Sequence, residues 1–208
     1  IKQLEESMPE ELLAEDEADW FQAWKESGYD QQIYMPYFRQ WDNKTGTGYR
    51  ECFSSAAAMV AAYYKKVRTD DEYNEIRAKY GDSTSVDAQL AALRSLGLRA
   101  EFRKDGDADL VEQELEAGRP VMVGWLHVGN MLLGEPPMCN ALSCGHWSVI
   151  SGYAGKNSRD PEWIMQDPKG YPEMEKGGHS NPHLGRNVRV RQAAFHQRWQ
   201  TEGPKSGW

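Results

Sequence analysis

Helix formers crowd the first half of this chain and strand formers the second, which predicts an α+β fold: a helical lobe packed against an antiparallel sheet. The segment CFSSAAAMVAAYYKKV from Cys52 holds no Gly or Pro and is rich in Ala, the strongest helix former. Beyond residue 119, short apolar runs rich in Val, Ile and Trp take over, punctuated by Gly and Pro. The chain has 208 residues, 39% hydrophobic and 27% charged, enough for one domain with a sizeable core, or a domain plus an appendage.

Taken in order, the first thirty residues read as an acidic helical lead-in. Leu12, Leu13, Trp20, Phe21 and Trp24 recur at roughly helical spacing among Glu and Asp, and Gly28 ends the pattern. Residues 1–30 are therefore expected as a helix packed on the main domain, or as a pro-segment or docking helix for a larger assembly; residues 31–208 form the main domain. Residues 33–38 look extended and lead to Gln40. The turn-rich stretch from Asp42 to Gly48 supplies Gly and Asn, which tolerate the left-handed backbone of turns. Cys52 then opens the strong helix. A second helix is expected over 86–96, with Ser85 as N-cap and Gly97 as its stop, and a third over 107–116, ending at Gly118. Strands follow over 120–125, 146–153 and 162–167, the last closed by Pro168. A fourth strand over 187–190 and a short helix over 193–199 complete the pattern.

A formal net charge of −8 argues against nucleic acid as the main partner, because a phosphate-binding face needs clustered Lys and Arg. Arg186, Arg189, Arg191 and Arg198 gather near the end and read as a solvated strand edge and helix face. No apolar run approaches the ~20 residues of a membrane span. The start, IKQLEESMPEELLAEDEADW, shows no signal-peptide pattern and no initiator Met, so localisation stays open. Three cysteines make no disulfide framework; Cys139 and Cys144 can pair in an oxidising compartment, which leaves Cys52 single.

A cysteine nucleophile attacks as thiolate, so its pKa must fall from the free-thiol value of about 8.5. A helix N-terminus and a neighbouring imidazolium both lower it. Cys52 begins the strongest helix, behind a loop of Gly and Thr. Of the histidines, His146 opens an apolar strand that can hold an imidazole rigidly. His127 precedes Gly129 and Asn130 in a stretch that looks mobile, while His179 and His183 lie in GGHSNPHLG, a surface loop on this reading. Asp167 ends the next strand, and antiparallel pairing brings it within reach of His146. Gln40 lies across the Gly-rich turn from Cys52, where its amide can serve a developing oxyanion. Trp41 and Trp147, neighbours of Gln40 and His146, are the expected substrate contacts. Cys139, Cys144 and His146, with His179 or His183, invite a metal reading. Their Cys-x4-Cys-x-His spacing matches no common zinc signature, so neither a metal nor an organic cofactor is expected.

The segment YFRQWDNKTGTGYRECFSSAAAMVAAYY resembles the Gln-to-Cys block of the C39-like peptidases, a branch of the papain-like cysteine peptidase superfamily. GRPVMVGWLH, GHWSVISGYAG and WIMQDPKG are similar to that family's later blocks in the same order, and FHQRW to its closing helix. The resemblance implies a papain-like fold and a triad of Cys52, His146 and Asp167, with Gln40 as oxyanion donor. It implies hydrolysis of a peptide or amide bond through a thioester, or transfer of the acyl group to an amine. Substrates in keeping with it are a protein, a leader peptide or a peptidoglycan cross-link. The acidic lead-in and the 132–143 insert depart from the family's pattern, so the substrate does not transfer with the fold. The alternative is a papain-like module that no longer catalyses and is docked into a larger assembly by its acidic helix.

Overall fold

The computed structural model describes residues 28–139 and 145–208; the expected lead-in helix and Cys144 lie outside the described residues. Five strands form one antiparallel sheet: β1 (Tyr29–Gln32), β2 (Val121–Trp125), β3 (His146–Ala154), β4 (Glu162–Gln166) and β5 (Val188–Arg191). β3 is its spine. β2 pairs along its first half, with Trp125 opposite His146, and β1 along its last residues, with Tyr29 opposite Ala154. β4 runs along the other edge of β3, and β5 lies outside β4. Tyr29 and Asp30, grouped above with the lead-in, thus belong to the sheet. Gly152 is needed where β1 crosses, because a Cβ there would lie 2.3 Å from the Gln31 carbonyl oxygen. β3 is buried along nearly its whole length, so its sequence reads as a continuous apolar run rather than an alternation.

Among the described residues five α-helices accompany the sheet: α1 (Cys52–Tyr63), α2 (Asp70–Arg77), α3 (Val86–Ser95), α4 (Ala108–Glu116) and α5 (Gln192–Trp199). α1 is sandwiched. Ala56 and Met59 share a cluster with Trp125, Val149 and Ile150 of the sheet, whereas Ala57, Ala58 and Ala61 join Tyr73, Ala92 and Leu93 of α2 and α3. The run of alanines is what lets a helix be covered on both sides without overpacking.

Side chains cap three of the helices. Ser85 accepts from the Ala88 N–H and Asp107 from the Leu110 N–H, as their places in the sequence suggest, and Thr69 accepts from the Glu72 N–H. Each such cap is worth about 1 kcal/mol. α2 has no counterpart in the expected pattern, because DDEYNEIR is too polar to show an apolar stripe.

The arginine-rich end differs from expectation at one residue. Arg198 is fully buried, not solvated. Its guanidinium donates to four main-chain carbonyls, those of Met174 (2.6 Å), Leu126 (3.0 Å), Val128 (3.1 Å) and Gly129 (2.8 Å). A planar fork with five N–H groups can be buried when carbonyls meet its donors. The clamp ties α5 to the loop after β2 and to the loop carrying His179. Cys139 is disulfide-bonded and Cys52 is free. No described helix is long and apolar enough to cross a membrane.

Candidate active site

Cys52 is the first residue of α1, where backbone N–H groups have no partner inside the helix. The backbone N–H groups of Phe53 and Trp147 lie close enough to its sulfur to favour the thiolate. Trp147 directly follows His146, so the start of β3 lies near the start of α1.

The β3–β4 register sets Val149 opposite Gln166, so Asp167 emerges from β4 beside the beginning of β3. There the His146 Nε2 lies 2.9 Å from both carboxylate oxygens of Asp167. Both side chains are almost completely buried. Asp167 also accepts from the Ser148 hydroxyl (2.8 Å) and from the Lys169 N–H (2.9 Å). Ser148 in turn accepts from the Trp125 indole N–H at 3.0 Å, which fixes its hydroxyl toward the carboxylate. With Nε2 committed to Asp167, Nδ1 is the His146 nitrogen left for other chemistry.

Burial governs the protonation of this cluster. It pushes the Cys52 thiol up to about 11, against the two backbone donors and the Lys169 ammonium, which pull it down. Desolvation thus opposes the lowering expected from a helix start. Burial likewise pulls His146 down to about 4, opposed by Asp167. For Asp167 burial would favour the neutral acid, but His146 and His179 hold it well below the usual carboxylate range. Burial also lowers the Lys169 ammonium.

Gln40 is buried and joins the two halves of the site. Its backbone N–H donates to the Pro168 carbonyl (2.9 Å), and its side-chain amide donates to the Gly48 carbonyl (2.7 Å) in the loop before Cys52. Trp41 is 47% exposed and its indole N–H donates to the Lys169 carbonyl (3.0 Å), so it presents a ring at the rim. Trp147 stacks on Phe53 with ring centroids 3.7 Å apart. That stacked pair lines a cavity of about 620 Å³, together with Leu93, Phe102, Met122 and Trp208.

Two histidines read as loop residues are instead part of the cluster. His179 is 3% exposed at its side chain, and its Nε2 lies 3.2 Å from the Asp167 Oδ2. His127 is buried, with its ring centroid 5.4 Å from that of His146 and 5.5 Å from that of His179. Burial pulls His127 down to about 2. Their surroundings look like surface loops because they are rich in Gly, but the glycines serve close packing. A Cβ on Gly177 would lie 2.4 Å from the Gly129 carbonyl oxygen, and the Gly178 N–H donates to the His127 carbonyl (2.6 Å). The Gly177-Gly178 pair ahead of His179 is the signal that could have marked it.

A cysteine at a helix start and a strand-borne histidine held by a buried aspartate are elements in keeping with papain-like cysteine proteases. The family model described as "Papain-like cysteine protease AvrRpt2" (Peptidase C70) matches residues 31–180, well over half of the chain. The chain therefore belongs to that family, and the α+β papain-like fold is the one expected from the sequence. No curated protein matches it. A solved structure similar to it is a double glycine motif protease from an AMS/PCAT transporter in complex with the leader peptide. The identity is 20% and the TM-score 0.45, over 81% of this chain and 88% of that one.

Proposed function

We propose that this member of the papain-like cysteine proteases hydrolyses a peptide or amide bond, with Cys52 as nucleophile, His146 as base and Asp167 as the group that orients the imidazole. The buried His146–Asp167 pair, with Trp147 next in sequence close to the Cys52 sulfur, is the observation that carries the reading. Nε2–H donating to Asp167 fixes the tautomer in which Nδ1 bears a lone pair. As the sulfur attacks the carbonyl carbon, Nδ1 takes the thiol proton, and the carbonyl π electrons move onto oxygen. The Cys52 N–H, without a helical partner, and the Gln40 amide are assigned to that oxyanion. Collapse expels the amine, protonated by His146, and leaves a thioester on Cys52. Water then attacks the thioester, His146 taking its proton and returning it to the departing sulfur. An amine acceptor in place of water would give acyl transfer.

Trp41 and Trp147 are assigned to substrate, a peptide or peptidoglycan-type chain; no metal or organic cofactor enters these steps. The closer kinship to C39-like peptidases belongs to this proposal, as does a docking or pro-segment role for residues 1–30. Digestion of a diverse peptide library by wild type and by Cys52→Ala, read by mass spectrometry, tests the reading. New termini made by wild type and missing with Cys52→Ala would support it. Identical peptide patterns from the two proteins would favour the non-catalytic module.

A further inference from the structure

Asp167 is approached by more imidazole than an orienting carboxylate needs. The Nε2 atoms of His146 and His179 both aim at its oxygens, at 2.9 and 3.2 Å, and the two ring centroids are 4.4 Å apart in an edge-to-face arrangement. Ligand atoms of His146, Asp167 and His179 all lie within 4.8 Å of one another. The donors of a tetrahedral zinc site, with Zn–N bonds of about 2.0–2.1 Å, stand roughly 3.3 Å apart, so small side-chain rotations close the set.

We propose that His146, Asp167 and His179 form a transition-metal site, of the kind that takes Zn²⁺, directly behind the catalytic imidazole. Two neutral imidazoles and one carboxylate favour zinc over Mg²⁺ or Ca²⁺, which seek all-oxygen sets. The surroundings are those of a built site. Ser148, itself held by the Trp125 indole, orients the carboxylate from behind. The Trp125 ring stands 5.3 Å from His146 and 5.8 Å from His179, centroid to centroid, and screens the cluster with an apolar wall. Water would complete the coordination.

The proton count gives such a metal a consequence. Zn²⁺ uses the Nε2 lone pair of each ring, so the proton that each imidazole carried toward Asp167 moves to Nδ1. At His146, Nδ1 is the nitrogen left for Cys52; once protonated and neutral overall, that ring can no longer accept the thiol proton. Metal in this site therefore switches the peptidase off without touching the sulfur. That consequence rests on the proposed mechanism, whereas metal binding itself does not.

The test is calorimetric titration of the full chain with Zn²⁺, together with visible absorption on adding Co²⁺. Wild type, Cys52→Ser, His179→Ala and His179→Gln are compared, with thermal melts to check folding. One equivalent should bind wild type and Cys52→Ser alike, and both His179 variants should bind at least ~10-fold more weakly. The Co²⁺ complex of wild type should show no thiolate-to-metal charge transfer, and excess Mg²⁺ should not compete. Absence of uptake by folded wild type would overturn the proposal. So would affinity unchanged in the His179 variants, or affinity lost in Cys52→Ser, which would put the metal on the sulfur. Because the readout is binding, it stands apart from the outcome of the peptide-library digestion.

Discussion

His146 Nε2 sits 2.9 Å from both oxygens of Asp167, in a pocket where neither side chain reaches water. The pair owes its geometry to two adjacent antiparallel strands: the start of β3 lies against the end of β4, and the β-register sets the reach. Asp167→Asn keeps the shape but replaces an acceptor of two imidazole N–H groups with an amide that is part donor. The His146 tautomer is then no longer enforced, and kcat is expected to fall by ~10²–10⁴-fold with KM little changed. Steady-state kinetics on a substrate found in the library digestion provide the check. An equal loss in KM alone would place Asp167 in substrate binding.

Gln40 offers a second prediction through its neighbour Gly48. A Cβ on Gly48 would lie 2.4 Å from the Gln40 carbonyl oxygen, so Gly48→Ala must displace the segment that carries the assigned oxyanion donor. Gln40→Ala is expected to lower kcat by ~10²-fold, and Gly48→Ala to lower it as well, both with native circular dichroism. Full activity in both variants would remove Gln40 from the oxyanion site.

Arg198 supports the site from beneath. Its loss by Arg198→Met leaves four buried carbonyls without their donor, and the expected cost is ~3 kcal/mol or more, measured by urea unfolding. Arg198→Lys should recover only part of this, because an ammonium cannot reproduce the planar fork. A change below ~0.5 kcal/mol would mean that water replaces the guanidinium without strain.

A pH-dependent contribution to stability is expected at Asp70, the first residue of α2. Burial, then Asp71 and Asp42, raise its carboxyl to about 6 in the folded protein. Between the unfolded value of about 4 and that raised value, the folded state holds more protons than the unfolded one. Its contribution is therefore most favourable below about pH 4 and is lost as pH rises through about 6. Asp70→Asn keeps the acceptor for the Asp71 N–H and removes the charge, so its Tm should exceed wild type by a few degrees at pH 8 and match it at pH 4. A Tm difference independent of pH would contradict this.

Much of the architecture was legible because local chemistry and tertiary context agree along α1, β3 and β4. The alanine run of α1 has no Gly or Pro, and the strands are apolar with clear stops. Ser85 and Asp107 cap where caps were expected. α2 was not legible, because its contribution to the core is Tyr73 with polar residues beside it, which leave no apolar stripe. Arg198 was misplaced because a charged residue usually marks surface, and only the fold reveals the four carbonyls waiting for it. His127 and His179 were hidden by their glycines, which read as loop signals in one dimension and act as close-contact residues in three. The height of the Cys52 thiol pKa was equally out of reach, since a helix start is local and desolvation is not.

The central claim is that His146 activates Cys52. The most direct measurement is the rate at which chloroacetamide alkylates Cys52 at neutral pH, followed by peptide mapping, in wild type and in His146→Ala of matched thermal stability. With thiol and imidazole both resting neutral, the sulfur needs the imidazole to take its proton, and wild type is expected to react at least ~10²-fold faster than the variant. Equal rates in the two proteins would contradict it, and Cys52 would then be a partly exposed helix-start thiol rather than a nucleophile.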